Sequence, residues 1–166
     1  MIKFKSPHFL RALDIAFNGR HSLLIITSDI NFIKKVIDET NAKKQKVIKI
    51  HIKKPCPCGN FNNTNRMCRC TSEEIKEWQT NFPQTDMTII ANDFPFEYLE
   101  FDKNNIEREG LNFLKTAYTT KGMLPSELEA TLKVAKTLSK MDKENKIKAM
   151  HIAEALQYVL GKEFYL

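Results

Sequence analysis

Four cysteines, and no others in the 166-residue chain, fall within one short loop: Cys56, Cys58, Cys68 and Cys70. The spacing is C-x-C, nine residues, C-x-C. Four thiolates suit a Zn²⁺ ion, which takes four soft ligands in a tetrahedron at about 2.3 Å. Two close pairs separated by a loop can supply that arrangement, and Gly59 with the run Asn60–Asn65 lets the chain turn back between them. A four-thiolate zinc site is doubly negative; Lys53, Lys54, Arg66 and Arg69 flank it and offset that charge. Zinc pairs are more often C-x₂-C, so on spacing alone unliganded reduced thiols, an iron–sulfur centre and disulfides stay open beside zinc. With every coordination position filled by protein, a zinc ion here is structural and has no open site for catalysis.

Other residues offer less. The sequence holds no paired-carboxylate site, no Ser/His/Asp arrangement and no open metal site. His21 and His151 read as packing or capping residues, His51 as surface. Trp78 reads as core or loop packing, although an indole can stack on a nucleic-acid base.

The elements that must hold the loop follow from periodicity. Ser6-Pro7 is an N-cap with proline at the first helical position, opening a helix to about Phe17 that Asn18-Gly19 stops. Ser22–Thr27 has the length and flanks of a buried strand. Asn31–Glu39 reads as a helix and Asn41–Lys46 as a polar turn. Val47–Lys53 alternates, with Ile48, Ile50 and Ile52 facing a core and Lys49, His51 and Lys53 facing out. The cysteine loop leaves this strand directly. Thr71-Ser72-Glu73-Glu74 is a capping-box start for a helix through Trp78. Met87–Ala91 is a strand and Phe96–Phe101 a weaker strand candidate. Three helical patterns follow, marked by Ile106/Leu111/Leu114/Tyr118, by Leu128/Leu132/Ala135/Leu138 after Pro125, and by Ile152/Leu156/Val159 before Gly161. The expected organisation is a mixed α/β part over residues 1–101, with the cysteine loop at 55–70, and a helical lobe over 104–166.

Charge is uneven. Residues 1–70 hold 14 Lys/Arg against 4 Asp/Glu, and residues 71–166 hold 12 against 16. A basic half suits an anionic partner or docking against an acidic surface; a solvated basic face is the plainer reading. No apolar run approaches the roughly 20 residues of a membrane helix. The start of the chain lacks a signal-peptide pattern. The expected location is the cytoplasm, where thiols stay reduced, with no membrane partner.

Four segments carry a family resemblance. Pro55-Cys56-Pro57-Cys58-Gly59 with Cys68-Arg69-Cys70-Thr71 resembles the "NPCPCG…CRC(S/T)" segment of ComM-type, magnesium-chelatase-like proteins of the AAA+ P-loop ATPases. Leu132–Leu138 resembles their "LRVARTIADL", and His151–Tyr158 resembles "HLAEALQYR". Leu10–Ile26 resembles "ALEIAAAGGHNLLLIG" more weakly. The resemblance implies a reduced AAA+-like α/β core followed by a helical lid. It also implies relatives that assemble as ATP-driven rings, among them DNA branch-migration helicases and the magnesium-inserting chelatase subunit.

The departures from that family bear on function. Where the family places "GPPGSGKT", the chain reads Thr27-Ser28-Asp29-Ile30-Asn31, without the glycines that let backbone N–H groups cradle phosphate. Only a short stretch separates Glu39 from the strand at Val47, so the Walker B carboxylates are lost, and no arginine stands near Pro125–Glu127. Phosphoryl transfer is mostly positioning and electrostatics, so these losses lean against an enzyme. The expectation is a non-catalytic, zinc-stabilised remnant that binds nucleic-acid phosphate through Lys43, Lys44, Lys46, Lys49, Lys53, Lys54, Arg66 and Arg69. The alternatives are an adaptor docking on a full AAA+ ring or on a second copy, and an ATP-binding subunit despite the lost motifs.

Overall fold

The computed structural model of the chain describes residues 2–64 and 66–161. Asn65, part of the run expected to turn the cysteine loop, and residues 162–166 of the expected lobe lie outside the described residues. The chain divides into two compact units: Lys3–Tyr98, and Leu99 onward together with Ile2.

The first unit is α/β. A two-residue strand β1 (Lys3–Phe4) leads to helix α1 (Pro7–Gly19), where Ser6 caps the N-terminus by accepting from the Phe9 N–H and Pro7 opens the first turn. Strand β2 (Leu23–Thr27) is followed by α2 (Ile30–Lys44), strand β3 (Ile50–Lys53), α3 (Ser72–Thr80) and strand β4 (Met87–Ala91). The three strands form a parallel sheet in the order β3-β2-β4. Leu23, Ile25 and Thr27 of β2 share a face with Ile50 and Ile52 of β3 and with Met87, Ile89 and Ala91 of β4. That face is the core side: Leu23, Ile25 and Thr27 are fully buried, as are Leu13 and Phe17 of α1 and Phe32 and Ile33 of α2. Phe4 meets Phe9, Phe32 and Phe94 at ring-centroid distances of 5.2, 6.1 and 5.3 Å, which joins α1 and α2 at one end of the layer. At their other end Lys44 pairs with Asp14, and Lys46 donates to Asn18 Oδ1 at 3.2 Å.

Three local expectations change. α2 does not stop near Glu39. It runs to Lys44, and Gln45 ends it in the left-handed region at φ 49°. The Lys44–Asp14 pair and the favourable placing of Lys43 and Lys44 at a helix C-terminus hold a last turn that polar composition alone left as loop. Strand β3 is correspondingly shorter than Val47–Lys53. Its register begins at Leu23↔Ile50, with the Lys49 carbonyl accepting from Leu23 N at 2.8 Å at its edge, and Val47 before it is 92% exposed. The weak strand expected at Phe96–Phe101 becomes a 3₁₀ turn over Phe96–Tyr98 and two residues of strand β5 (Leu99–Glu100).

The second unit is helical. After β5 come α4 (Arg108–Thr120), α5 (Pro125–Met141) and α6 (Ala149–Leu160). Leu114, Leu128, Ala135, Ile152, Ala155 and Leu156 are fully buried and form its core. Leu124 N donates to Glu127 Oε2 (2.9 Å), closing the first turn of α5 behind Pro125. A one-residue bridge joins Ile106 to Ile147. Gly110 sits beside it in α4 because a Cβ there would lie 3.2 Å from both the Ile106 side chain and the Ile147 carbonyl. Gly161 ends α6 at φ 73°, the conformation glycine adopts at least cost. Among the described residues no helix is long and apolar enough to cross a membrane.

Candidate metal centre and the sheet end it covers

The cysteine loop leaves the carboxyl end of β3. Gly59 N donates to the Cys56 carbonyl at 3.0 Å, and Gly59 takes φ 84°, so the chain reverses just after the first pair. A second turn, Asn63 N to Asn60 O at 3.0 Å, aims it back toward the second pair. Directly after Cys70, Thr71 caps α3: its hydroxyl accepts from Glu74 N, and Glu74 accepts from Thr71 N at 2.8 Å. This is the capping box expected from Thr71-Ser72-Glu73-Glu74. α3 buries none of its residues. It is braced instead by Trp78 Nε1 donating to the Lys54 carbonyl (2.8 Å) and Gln79 Nε2 to the Pro55 carbonyl (3.2 Å). The helix that follows the second cysteine pair is thus tied to the peptide that enters the first. Trp78 serves as this brace, with its ring about one-third exposed.

The four sulfurs converge. Cys56 Sγ lies 3.3 Å from Cys58 Sγ and 3.7 Å from Cys68 Sγ, and Cys58 Sγ lies 3.6 Å from Cys68 Sγ. All four ligand atoms are within 4.8 Å of one another, and all four are free thiols. A tetrahedron with sulfurs at the zinc–thiolate distance has edges of about 3.8 Å, so the cluster can hold a metal ion with little rearrangement. Backbone N–H groups already point at sulfur, as Phe61 N does at Cys56 Sγ (3.3 Å). Burial alone would raise the Cys58 thiol. The N–H groups of Arg69 and Asn60 and the thiols of Cys56 and Cys70 outweigh it and bring Cys58 down to about 6. Cys70 accepts from the Cys58 N–H, yet burial and its neighbours Cys58 and Cys56 push it up to about 12. Neighbouring thiolates resist ionising together, and a bound cation removes that conflict.

Between the pairs, the loop folds over the sheet. Asn63 Nδ2 donates to Asn92 O (2.9 Å) and Ser28 Oγ (3.3 Å), and Thr64 binds Asp93 Oδ1 through N (3.2 Å) and Oγ1 (2.8 Å). Asn92 Nδ2 donates back to Phe61 O at 3.2 Å. Asn92 is 5% exposed, and its Oδ1 has no partner among the described residues. Ser28, Asn92 and Asp93 stand just past the carboxyl ends of β2 and β4. In open parallel sheets, ligands bind in that crevice, where successive connections leave in opposite directions. Here β2 connects to β3 on one side, and the chain then crosses to β4 on the other, so the crevice falls at the end of β2. Phe61–Thr64 of the loop occupies it. The first turn of α2 is closed as well, because Asp29, 3% exposed, caps it through Phe32 N at 3.2 Å. A carboxylate on those N–H groups stands where an anion would otherwise bind.

The eight basic residues singled out in the sequence lie on both sides of β3 along the chain. From Thr40 to Ser72 the chain carries those eight Lys/Arg and no Asp or Glu. Yet Lys43, Lys44, Lys46 and Lys49 precede β3, and Lys44 and Lys46 engage α1. Lys53, Lys54, Arg66 and Arg69 lie at or beyond its carboxyl end. A strand advances about 3.3 Å per residue, so Lys49 and Lys53 alone are roughly 13 Å apart. The anchoring residues Ser28, Asn63, Thr64, Asn92 and Asp93 were not singled out in the sequence. The asparagine run read only as turn-forming, and partners some 30 residues apart leave no local pattern.

A short parallel α/β unit carrying a four-thiol loop, followed by a three-helix lobe, defines a two-part protein in which the lobe is the segment with recognisable kin. Residues 97–159 match the family described as magnesium chelatase, subunit ChlI C-terminal. No curated protein and no solved structure matches the chain.

Proposed function

We propose that this chain is a non-hydrolysing adaptor of the magnesium chelatase family. Its α/β part is stapled by a structural zinc ion on Cys56, Cys58, Cys68 and Cys70, and its lobe, residues 104–166, docks on an AAA+ ring. The observation that carries the reading is the occupation of the sheet's carboxyl-end crevice by Phe61–Thr64, with Asp29 capping α2 beside it. Such a core has no place to seat a nucleotide triphosphate and its metal. Zinc suits the four-sulfur geometry and leaves no open coordination position. Mixed with a full-length ATPase of the family, the chain should co-elute in size-exclusion chromatography with light scattering and change the ring's ATP turnover while adding none of its own. Persistence as a monomer beside an unaltered ring contradicts the reading.

A second reading is favoured by the eight cations and absent carboxylates between Thr40 and Ser72. Nucleic-acid phosphate would be contacted by Lys53, Lys54, Arg66 and Arg69 beside the metal loop, with Lys43, Lys44, Lys46 and Lys49 reaching a second stretch of backbone. Such binding is sequence-tolerant and falls steeply between about 50 and 200 mM salt through counterion release. Salt-independent affinity for a duplex, or none, removes it.

A further inference from the structure

All-parallel sheets occur almost only with both faces covered. In the α/β unit one face is covered and the other is not. The covered face carries Leu23, Ile25 and Thr27, packed under α1 and α2. By register, the opposite face presents His51, Leu24 and Thr88 in one row and Lys53, Ile26 and Ile90 in the next. Only the central Leu24 is buried there; Ile90 is 67% exposed, Thr88 and Lys53 are exposed, and Ile26 and His51 are half-buried. α3, the helix of the β3-to-β4 crossover, buries no residue and is tied past the end of β3.

We propose that this bare face is a docking surface for an amphipathic helix of a partner protein, apolar where it crosses Ile26 and Ile90 and acidic along the flank beside His51 and Lys53. Two observations select this occupant. The β3 side of the face is basic, with His51 and Lys53 on it and no carboxylate in the chain from Thr40 to Ser72, so an acidic flank is complementary. The face is also small. Three strands of about four residues span on the order of 200 Å², far below the roughly 800 Å² per partner of a stable dimer. One helix fits; a second copy of the sheet does not gain enough. The inference rests on the adaptor reading and adds a surface outside the lobe.

The test is a titration of the zinc-loaded, ¹⁵N-labelled full chain with a synthetic helical peptide of about four turns, Leu at i, i+3, i+4 and i+7 and Glu along one flank. The expected result is amide shifts centred on Leu24–Ile26, His51–Lys53 and Thr88–Ile90. Affinity should fall at least about tenfold in Ile90→Lys and in Lys53→Glu, both exposed positions, with thermal midpoints unchanged. The peptide with Lys in place of Glu should bind at least about tenfold more weakly. Absent shifts, equal affinity in both variants, or equal binding of the Lys peptide overturns the proposal. Ring co-elution of the wild-type chain is read in parallel: co-elution without any peptide binding by that chain removes this surface alone, whereas absence of co-elution removes the adaptor reading.

Discussion

His151 is 1% exposed and has both ring nitrogens engaged. Nδ1 accepts from Lys148 N (2.9 Å) and Nε2 faces Asp142 Oδ2 (3.1 Å), so the ring carries its hydrogen on Nε2 and joins the loop before α6 to the end of α5. His151→Ala leaves a buried N–H without its acceptor and a cavity behind it, a loss of about 2–4 kcal/mol in urea unfolding. A loss within about 0.5 kcal/mol contradicts the capping role. Its role as a capping or packing residue was legible, because it opens a helical apolar pattern. Asp86 was not. It accepts from Ser22 N at 3.0 Å while Ser22 Oγ accepts from Asp86 N at 2.9 Å, pinning the starts of β2 and β4 together. The Ser22 N–H, then its hydroxyl, with His21 nearby, hold the Asp86 carboxyl below its ordinary value near 3.8. A depressed folded value stabilises above the unfolded value and is lost as pH falls through the folded one. The thermal-midpoint difference between wild type and Asp86→Asn should therefore be full above about pH 4 and shrink below it. A difference that grows on acidification contradicts the contact.

The cysteine loop and α3 act as one element. The loop supplies four sulfurs, Thr71 and Glu74 start the helix at its exit, and Trp78 and Gln79 tie that helix to its entrance. Neither part buries enough apolar surface to stand alone, so the metal should supply the missing free energy. Metal analysis should find one zinc ion per chain. Chelation, or the double substitution Cys56→Ser and Cys58→Ser, should lower the thermal midpoint and speed hydrogen exchange at the Thr64 N–H and in α3, while α4–α6 stay protected. An unchanged exchange pattern in the metal-free chain rules out the staple. The four ligands and the capping box were readable because their signals are local. The length of α2 and the late start of β3 were not, since Asp14 and the five-residue β2 decide them from elsewhere in the chain.

At the scale of the molecule, periodicity alone pointed to an α/β part and a helical part, because period-two and helical patterns change over near residue 100. What it could not disclose is the direction the cysteine loop takes. The sequence around Thr27–Asn31 lacks a phosphate cradle, and the fold adds a physical obstruction: Asn63 and Thr64 bind Ser28, Asn92 and Asp93 over the end of β2. A lobe that matches the ChlI C-terminal family, beside a closed sheet end, suits the proposed adaptor role. Calorimetric titration of zinc-loaded protein with Mg·ATP reads that closure. No saturable heat should appear up to millimolar nucleotide; a micromolar dissociation constant would contradict a closed sheet end.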